Sequence, residues 1–156
     1  MRKTLLFVIP VSLLVVLDQI TKYAIAHFMR VNTVLTVFPG FFNLVYVQNT
    51  GGAFSLFAGA GNHLAVYALA AVSFVVVAAI AYAFAKTRKA DTWARAAYIC
   101  VAGGAVGNLI DRIRLGEVTD FLDFHAANLH WPAFNVADIA ISTGAVMLLV
   151  SLMRNK

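Results

Sequence analysis

LAVYALAAVSFVVVAAIAYAFA, residues Leu64–Ala85, decides the fold: 22 consecutive positions carry no charged side chain. At about 1.5 Å per residue, a helix of that length covers the roughly 30 Å hydrocarbon core of a bilayer. Working outward, apolar stretches of similar length stand at about Leu5–His27, Trp93–Ile113 and Phe134–Met153. The chain of 156 residues is 62% hydrophobic and 12% charged, with a mean hydropathy of +0.83. Soluble domains run to about half apolar and about a quarter charged, and a chain this small leaves about a third of its surface exposed after folding. The reading is an integral membrane all-α bundle of four transmembrane helices, with one membrane domain over residues 1–156. Disorder and collagen are excluded by the same figures, and Cys100, without a second cysteine, excludes an internal disulfide.

The net charge of +5 raises the possibility of nucleic-acid binding, so the placement of the charges matters. Arg2 and Lys3 precede the first stretch; Lys86, Arg88, Lys89 and Arg95 flank the link between the second and third; Arg154 and Lys156 follow the fourth. Eight of the twelve basic residues thus fall on one side, with Asp91 as the acid among them. The positive-inside rule places both termini and the 86–95 link in the cytoplasm. That accounts for the charge without a nucleic-acid partner. The N-terminus also has the outline of a signal peptide, with Arg2-Lys3, the run Leu5–Leu17 and Ala24-Ile25-Ala26. Asp18, Gln19, Thr21 and Lys22 lie between the apolar run and that cleavage site, which favours an anchored first helix.

The loop from about Phe28 to His63 is then extracytoplasmic. Val34–Val37 and Phe42–Val47 are rich in β-branched and aromatic residues, with turn signals at Pro39-Gly40 and Asn49-Thr50-Gly51-Gly52. These predict a small β-structure against the membrane surface, with Phe38, Phe41, Phe42, Tyr46, Phe54 and Phe57 able to dip into lipid as an interfacial belt. A second outer loop, Arg114 to Pro132, carries Glu117, Asp120, Asp123, His125 and His130.

Polar residues at one depth supply the functional signal. Asp18 and Lys22 share a helix face at spacing four, about 25 Å along the helix from Leu5. The third helix ends in Gly107-Asn108-Leu109-Ile110-Asp111-Arg112, and the fourth begins with Phe134-Asn135-Val136-Ala137-Asp138. Ionisable groups from three helices meet just inside the outer surface, where they are costly and default candidates for function. Each also has a plain structural account. Asn135 and Asp138 have the spacing of a capping box; Asp18–Lys22 and Asp111–Arg112 suit structural ion pairs; Gly103 and Gly107 suit close helix packing. His27, His63, His125 and His130 show no metal-ligand spacing, and the mid-helix Cys100 thiol is expected to be inert. A small transporter or channel subunit with buried Asp and Lys residues is the alternative from another class. Ser55 or Ser142 with Lys22 would make a rival Ser–Lys protease.

At these residues the sequence resembles the lipoprotein signal peptidase (signal peptidase II) family. The matching segments are Asp18-Gln19-Ile20-Thr21-Lys22, Asn49-Thr50-Gly51-Gly52-Ala53-Phe54, Gly107–Arg112, Val118-Thr119-Asp120-Phe121 and Phe134–Asp138. The resemblance implies an aspartyl endopeptidase of the bacterial plasma membrane, without metal or cofactor. Its substrate would be a prolipoprotein, cut before a diacylglyceryl-modified Cys, and its other partners membrane lipids, with the enzyme a monomer and the active site near the outer face. It places catalysis on Asp120 and Asp138. Asp18, Lys22, Asn49, Gly51, Asn108, Asp111, Arg112 and Asn135 would bind substrate or support the site, Asp111 as scaffold. Asp123-Phe124 also reads as an Asp-Phe pair but lacks the Val two positions before it.

Overall fold

The structure is a computed structural model that describes residues 2–51, 63–88, 90–127 and 129–154. Gly52, Ala53, Phe54, Ser55, Phe57, Lys89 and Lys156, which the sequence analysis used, lie outside the described residues. The elements in chain order are α1 (Arg2–Phe28), β1 (Val34–Phe38), β2 (Phe42–Asn49), α2 (His63–Lys86), α3 (Thr92–Leu115), β3 (Val118–Ala126), β4 (Leu129–His130) and α4 (Val136–Arg154).

Three of the four helices are long and apolar enough to cross a membrane: α1, α2 and α4. Their apolar side chains stay largely exposed, as at Leu13, Phe74 and Leu149, which suits a hydrocarbon surround. The expectation of four transmembrane helices is met by length and apolar content in three of them, and α3 is the exception. Arg95, Asp111, Arg112 and Arg114 lower its apolar content, and it packs against each of the other helices. A helix enclosed by protein need not be apolar all round. It needs small residues instead. Ala97, Ala102, Gly103, Gly104 and Gly107 are buried on it. A Cβ at Gly104 would collide with the Ala137 carbonyl of α4, and one at Gly103 would lie 2.8 Å from Leu14 Cβ of α1. Close approach of this kind is how helices associate in lipid.

Local chemistry sets the ends of α3. Asp91 caps its start by accepting from the Ala94 N–H at 3.0 Å, satisfying one of the orphan donors of a helix N-terminus. Gly116 ends it in the left-handed region at φ 76°, its N–H returning to the Arg112 carbonyl. That turn feeds directly into β3.

The sheet is antiparallel with order β1-β2-β3-β4. Strand pairing thus reaches beyond the 28–63 loop: β3 and β4 come from the 114–132 loop, for which local sequence predicts no strand. The reason is legible in the ladder, where Phe42 pairs with Phe124, Asn43 with Asp123 and Asn49 with Val118. Phe42 stacks on Phe124 with ring centroids 4.7 Å apart, and Phe124 on Phe134 at 5.8 Å. Phe42 therefore packs within the protein, whereas Phe38 and Phe41 are exposed. The pairing carries Asp120 under the sheet and against the helix ends.

Candidate active site

The site is assembled by four chain segments, from α1, α3, β3 and the end of β2, meeting the N-terminus of α4. On α1, Asp18 and Lys22 lie one turn apart, and Lys22 Nζ sits 2.8 Å from Asp18 Oδ2 and 2.8 Å from Asp111 Oδ2 of α3. Its remaining donor reaches Asn108 Oδ1 at 2.9 Å. An ammonium has three donors and no acceptor, so Lys22 is saturated. Asp18 Oδ1 also accepts the Ala137 N–H at 2.9 Å, placing a carboxylate at the positive end of the α4 dipole. Asp111 Oδ2 accepts the Thr119 N–H at 3.4 Å and so ties α3 to β3.

Gln19, within the Asp18–Lys22 segment, joins the cluster although its residue type alone predicts no role. It donates from Nε2 to Asp111 Oδ1 at 2.8 Å and to the Gly107 carbonyl at 3.3 Å. Its place between Asp18 and Lys22 was the available signal. Gly107 leaves room for this cluster, since a Cβ there would lie 2.6 Å from Asp18 Oδ2.

A second set of carboxylates adjoins the first. Asn135, fully buried, precedes α4 and accepts the Asp138 N–H on Oδ1 at 3.0 Å, while its own N–H donates to Asp138 Oδ2 at 3.1 Å. This is the reciprocal capping box expected from the spacing. Asp138 Oδ1 in turn accepts from Asn108 Nδ2 at 2.9 Å. Asn135 Nδ2 donates to Asp120 Oδ1 at 2.8 Å, and Asn49 Nδ2 to Asp120 Oδ2 at 3.0 Å. Asn49 is itself fixed, its Oδ1 accepting the Gly51 N–H at 2.9 Å. Arg112 Nη2 points at the Gly51 carbonyl at 3.4 Å and so holds the turn against α3. Among the described residues, neither Asp120 nor Asp138 has a cation within ion-pair distance.

Burial pushes the Asp120 carboxyl up to about 6 from 3.8, and the nearby charge of Asp138 adds to the rise, against the pull of the Asn49 and Asn135 amides and of Lys22. Both carboxylates border a cavity of about 620 Å³ between α2, α3 and α4. Its polar end is formed by Asn49, Asn108, Arg112, Asp120 and Asp138; its deeper wall is apolar, with Leu69, Val72, Val101 and Ile141.

All ten residues singled out from the sequence join one network, including Gly51 through its carbonyl and N–H. Asp123 does not join it: it accepts from Asn43 Nδ2 at 2.9 Å and pairs with His130 at 2.8 Å on the sheet. A Ser–Lys arrangement is not formed at Ser142, because the Lys22 donors are committed to Asp18, Asp111 and Asn108. Ser55 lies outside the described residues.

Residues 11–154 match the family model described as signal peptidase (SPase) II. A protein named lipoprotein signal peptidase from Syntrophus aciditrophicus is 40% identical, the match covering 100% of this chain and 98% of that one. Another of the same name from Geobacter sulfurreducens is 45% identical over 90% of this chain and 87% of its own length. Among solved structures, a bacterial membrane enzyme determined by the in meso method superposes with a TM-score of 0.84 at 28% identity, covering 95% of this chain and 87% of that one. These likenesses give the transporter alternative no support.

Proposed function

We propose that this chain, which belongs to the signal peptidase (SPase) II family, hydrolyses its substrate with an aspartyl pair, Asp120 and Asp138. The observation that carries this reading is the placement of two carboxylates at the polar end of a largely apolar cavity, every oxygen fixed by an amide N–H and, among the described residues, no cation in contact. Peptide hydrolysis needs a base for water and an acid for the leaving amine. Two adjacent carboxylates cannot both ionise readily, so the pair retains one proton and supplies both roles. The ionised member takes a proton from water as its oxygen attacks the scissile carbonyl. The protonated member gives its proton to the carbonyl oxygen, forming a neutral tetrahedral diol; the first member then passes the proton it took from water to the amine nitrogen as the C–N bond breaks, and a diol hydroxyl returns its proton to the second member as the carboxylic acid forms. The surrounding asparagines cannot titrate, so they hold geometry without competing for the proton.

The substrate we assign is a prolipoprotein bearing a diacylglyceryl group, cut before the modified Cys. A cavity open between helices lets the acyl chains stay in lipid, where each buried methylene is worth about 0.8 kcal/mol. We place both termini and the 86–95 link in the cytoplasm of a bacterial cell and the carboxylates near the outer face, with α3 as a fourth span and one chain sufficient for activity. Reporter fusions after Lys89 and Lys156 should read cytoplasmic and one after His63 external; an external C-terminus would overturn the orientation.

The deciding experiment is cleavage of a lipidated precursor by purified protein, with Asp120→Asn and Asp138→Asn alongside. Each variant keeps shape but loses the titrating oxygen, so cleavage should vanish while the protein remains folded. Near-normal turnover by either would end the aspartyl assignment.

A further inference from the structure

The deeper wall of the cavity holds two adjacent hydroxyls with no hydrogen-bond partner among the described residues. By contrast, Thr21 donates to the Asp18 carbonyl three residues back at 2.8 Å, and Ser73 and Thr87 donate to the Leu69 and Ala83 carbonyls four residues back, each along its own helix. Ser142 and Thr143 of α4 also face the cavity, and neither makes a hydrogen bond to any described residue. Leaving polar groups unsatisfied is costly in an apolar surround. Two such groups in sequence therefore suit an occupant with hydrogen-bonding groups of its own.

Their depth identifies that occupant. Along α4, Ser142 lies about 6 Å and Thr143 about 7.5 Å below Asp138, at 1.5 Å per residue. An extended peptide advances about 3.3 Å per residue, so those hydroxyls stand about two residues from the scissile bond. The membrane-embedded side of the cut is the signal-peptide side. A helical signal peptide satisfies its own backbone, but the carboxylates can reach its scissile carbonyl only where the helix is opened. Opening it strands backbone N–H and C=O groups beside apolar walls. A hydroxyl both donates and accepts, and so meets either group.

We infer that Ser142 and Thr143 bind the backbone of the unwound signal peptide about two residues before the cleavage site. This rests on the proposed peptidase reaction and adds a determinant of substrate positioning to it. Because the contact forms on binding and persists through reaction, its loss should raise KM with little change in kcat.

The test uses full-length purified protein with a lipidated precursor peptide. Ser142→Ala and Thr143→Val should each raise KM about three- to tenfold, the worth of one ordinary hydrogen bond. Ser142→Thr and Thr143→Ser keep the hydroxyl and should stay close to the unaltered protein. Ser12→Ala, on an exposed position of α1, should have no effect. A precursor N-methylated two residues before the cut should bind the unaltered protein more weakly but lose little further against Ser142→Ala. Unchanged KM in both hydroxyl-deleted variants would overturn the contact. A loss that Thr at 142 and Ser at 143 fail to restore would mark packing instead and overturn it equally. If the unaltered protein does not cut the precursor at all, the peptidase reading fails; if it cuts and the variants match it, the hydroxyl contact alone fails.

Discussion

Two sets of carboxylates lie side by side in this molecule and are held in opposite ways. Asp18 and Asp111 clasp Lys22 at 2.8 Å each, with all three side chains 5% exposed or less. Asp120 and Asp138 accept only from neutral amides and open onto the cavity. The residue type is the same, so it does not decide what a buried acid does. A carboxylate in contact with its countercharge ties two helices together and builds structure. One left to neutral donors beside a cavity keeps a proton within reach. The two sets are joined through Asn108. Its oxygen must face Lys22, which has no acceptor to offer, and that turns its NH₂ toward Asp138. The ion cluster thereby orients the pair without touching it.

The largest effect that tests this contrast is on turnover. General acid–base assistance is worth about 10²–10⁴-fold for each group, so Asp120→Asn and Asp138→Asn should each lose at least that in kcat. Asp111→Asn, in the ion cluster, should lower the melting temperature yet retain far more turnover per folded molecule. Asp138→Asn also disturbs the capping box, a loss of about 0.5–2 kcal/mol. If Asp111→Asn and Asp120→Asn proved equally inactive while folded, the division between the two sets would not stand.

Next comes stability. Lys22→Met leaves two buried carboxylates without their cation, and breaking a buried pair in this way costs about 3–5 kcal/mol. The expected outcome is a steep fall in thermal stability in detergent at neutral pH. A melting temperature equal to that of the unaltered protein would show that the cluster does not hold α1 to α3.

That contrast was only half legible in the sequence. The three apolar helices were readable because long uncharged runs such as Leu64–Ala85 have few outcomes in water. What periodicity could not supply was the partner of each acid. Asp111 adjoins Arg112 in sequence and suggested a pair, yet its cation is Lys22 from another helix, and Arg112 turns instead to the Gly51 carbonyl. Adjacent residues on a helix point about 100° apart, so sequence neighbours are poor guides to ion pairing. The strand β3 was missed for a related reason. VTDFLDFHA alternates only loosely, and what makes it a strand is the β2 ladder and the Phe42–Phe124–Phe134 stack, both long-range. Asp138 shows the opposite case, since the capping box and the aspartyl pair were weighed as rivals and the geometry accommodates both.

A smaller effect sharpens the comparison through pH. The Asp120 carboxyl, pushed up to about 6 from 3.8 by burial and the charge of Asp138, is raised in the folded state. Its stabilising contribution is therefore complete below the unfolded value and is lost as pH rises through about 6. The interval corresponds to about 3 kcal/mol. Melting temperature should fall between pH 4 and pH 7 more steeply for the unaltered protein than for Asp120→Asn, whose side chain cannot ionise. The pH profile of kcat/KM should bend in the same range. Parallel melting curves would mean that Asp120 is not held toward its protonated form.

The smallest effect belongs to a third acid, Asp123, three residues from Asp120 on β3. Burial raises its carboxyl, but bonds from Asn43 and His130 and the neighbouring histidine charge outweigh that, leaving it below the ordinary 3.8. The sign is opposite to that of Asp120: the contribution is present above the unfolded value and is lost as pH falls through the folded one. His130 is half exposed, so solvent screens the pair, and its worth is about 0.2–1 kcal/mol. Asp123→Asn should therefore melt slightly earlier at neutral pH, converge with the unaltered protein in acid, and cut the precursor at nearly the normal rate. Raising the salt should shrink the difference further. Since Asp123-Phe124 repeats the Asp-Phe pattern of Asp120-Phe121, this variant asks whether sequence pattern or placement selects the acid. A loss of turnover as deep as that of Asp120→Asn would move the reacting carboxylate to the sheet, away from the cavity and the Asn108 link.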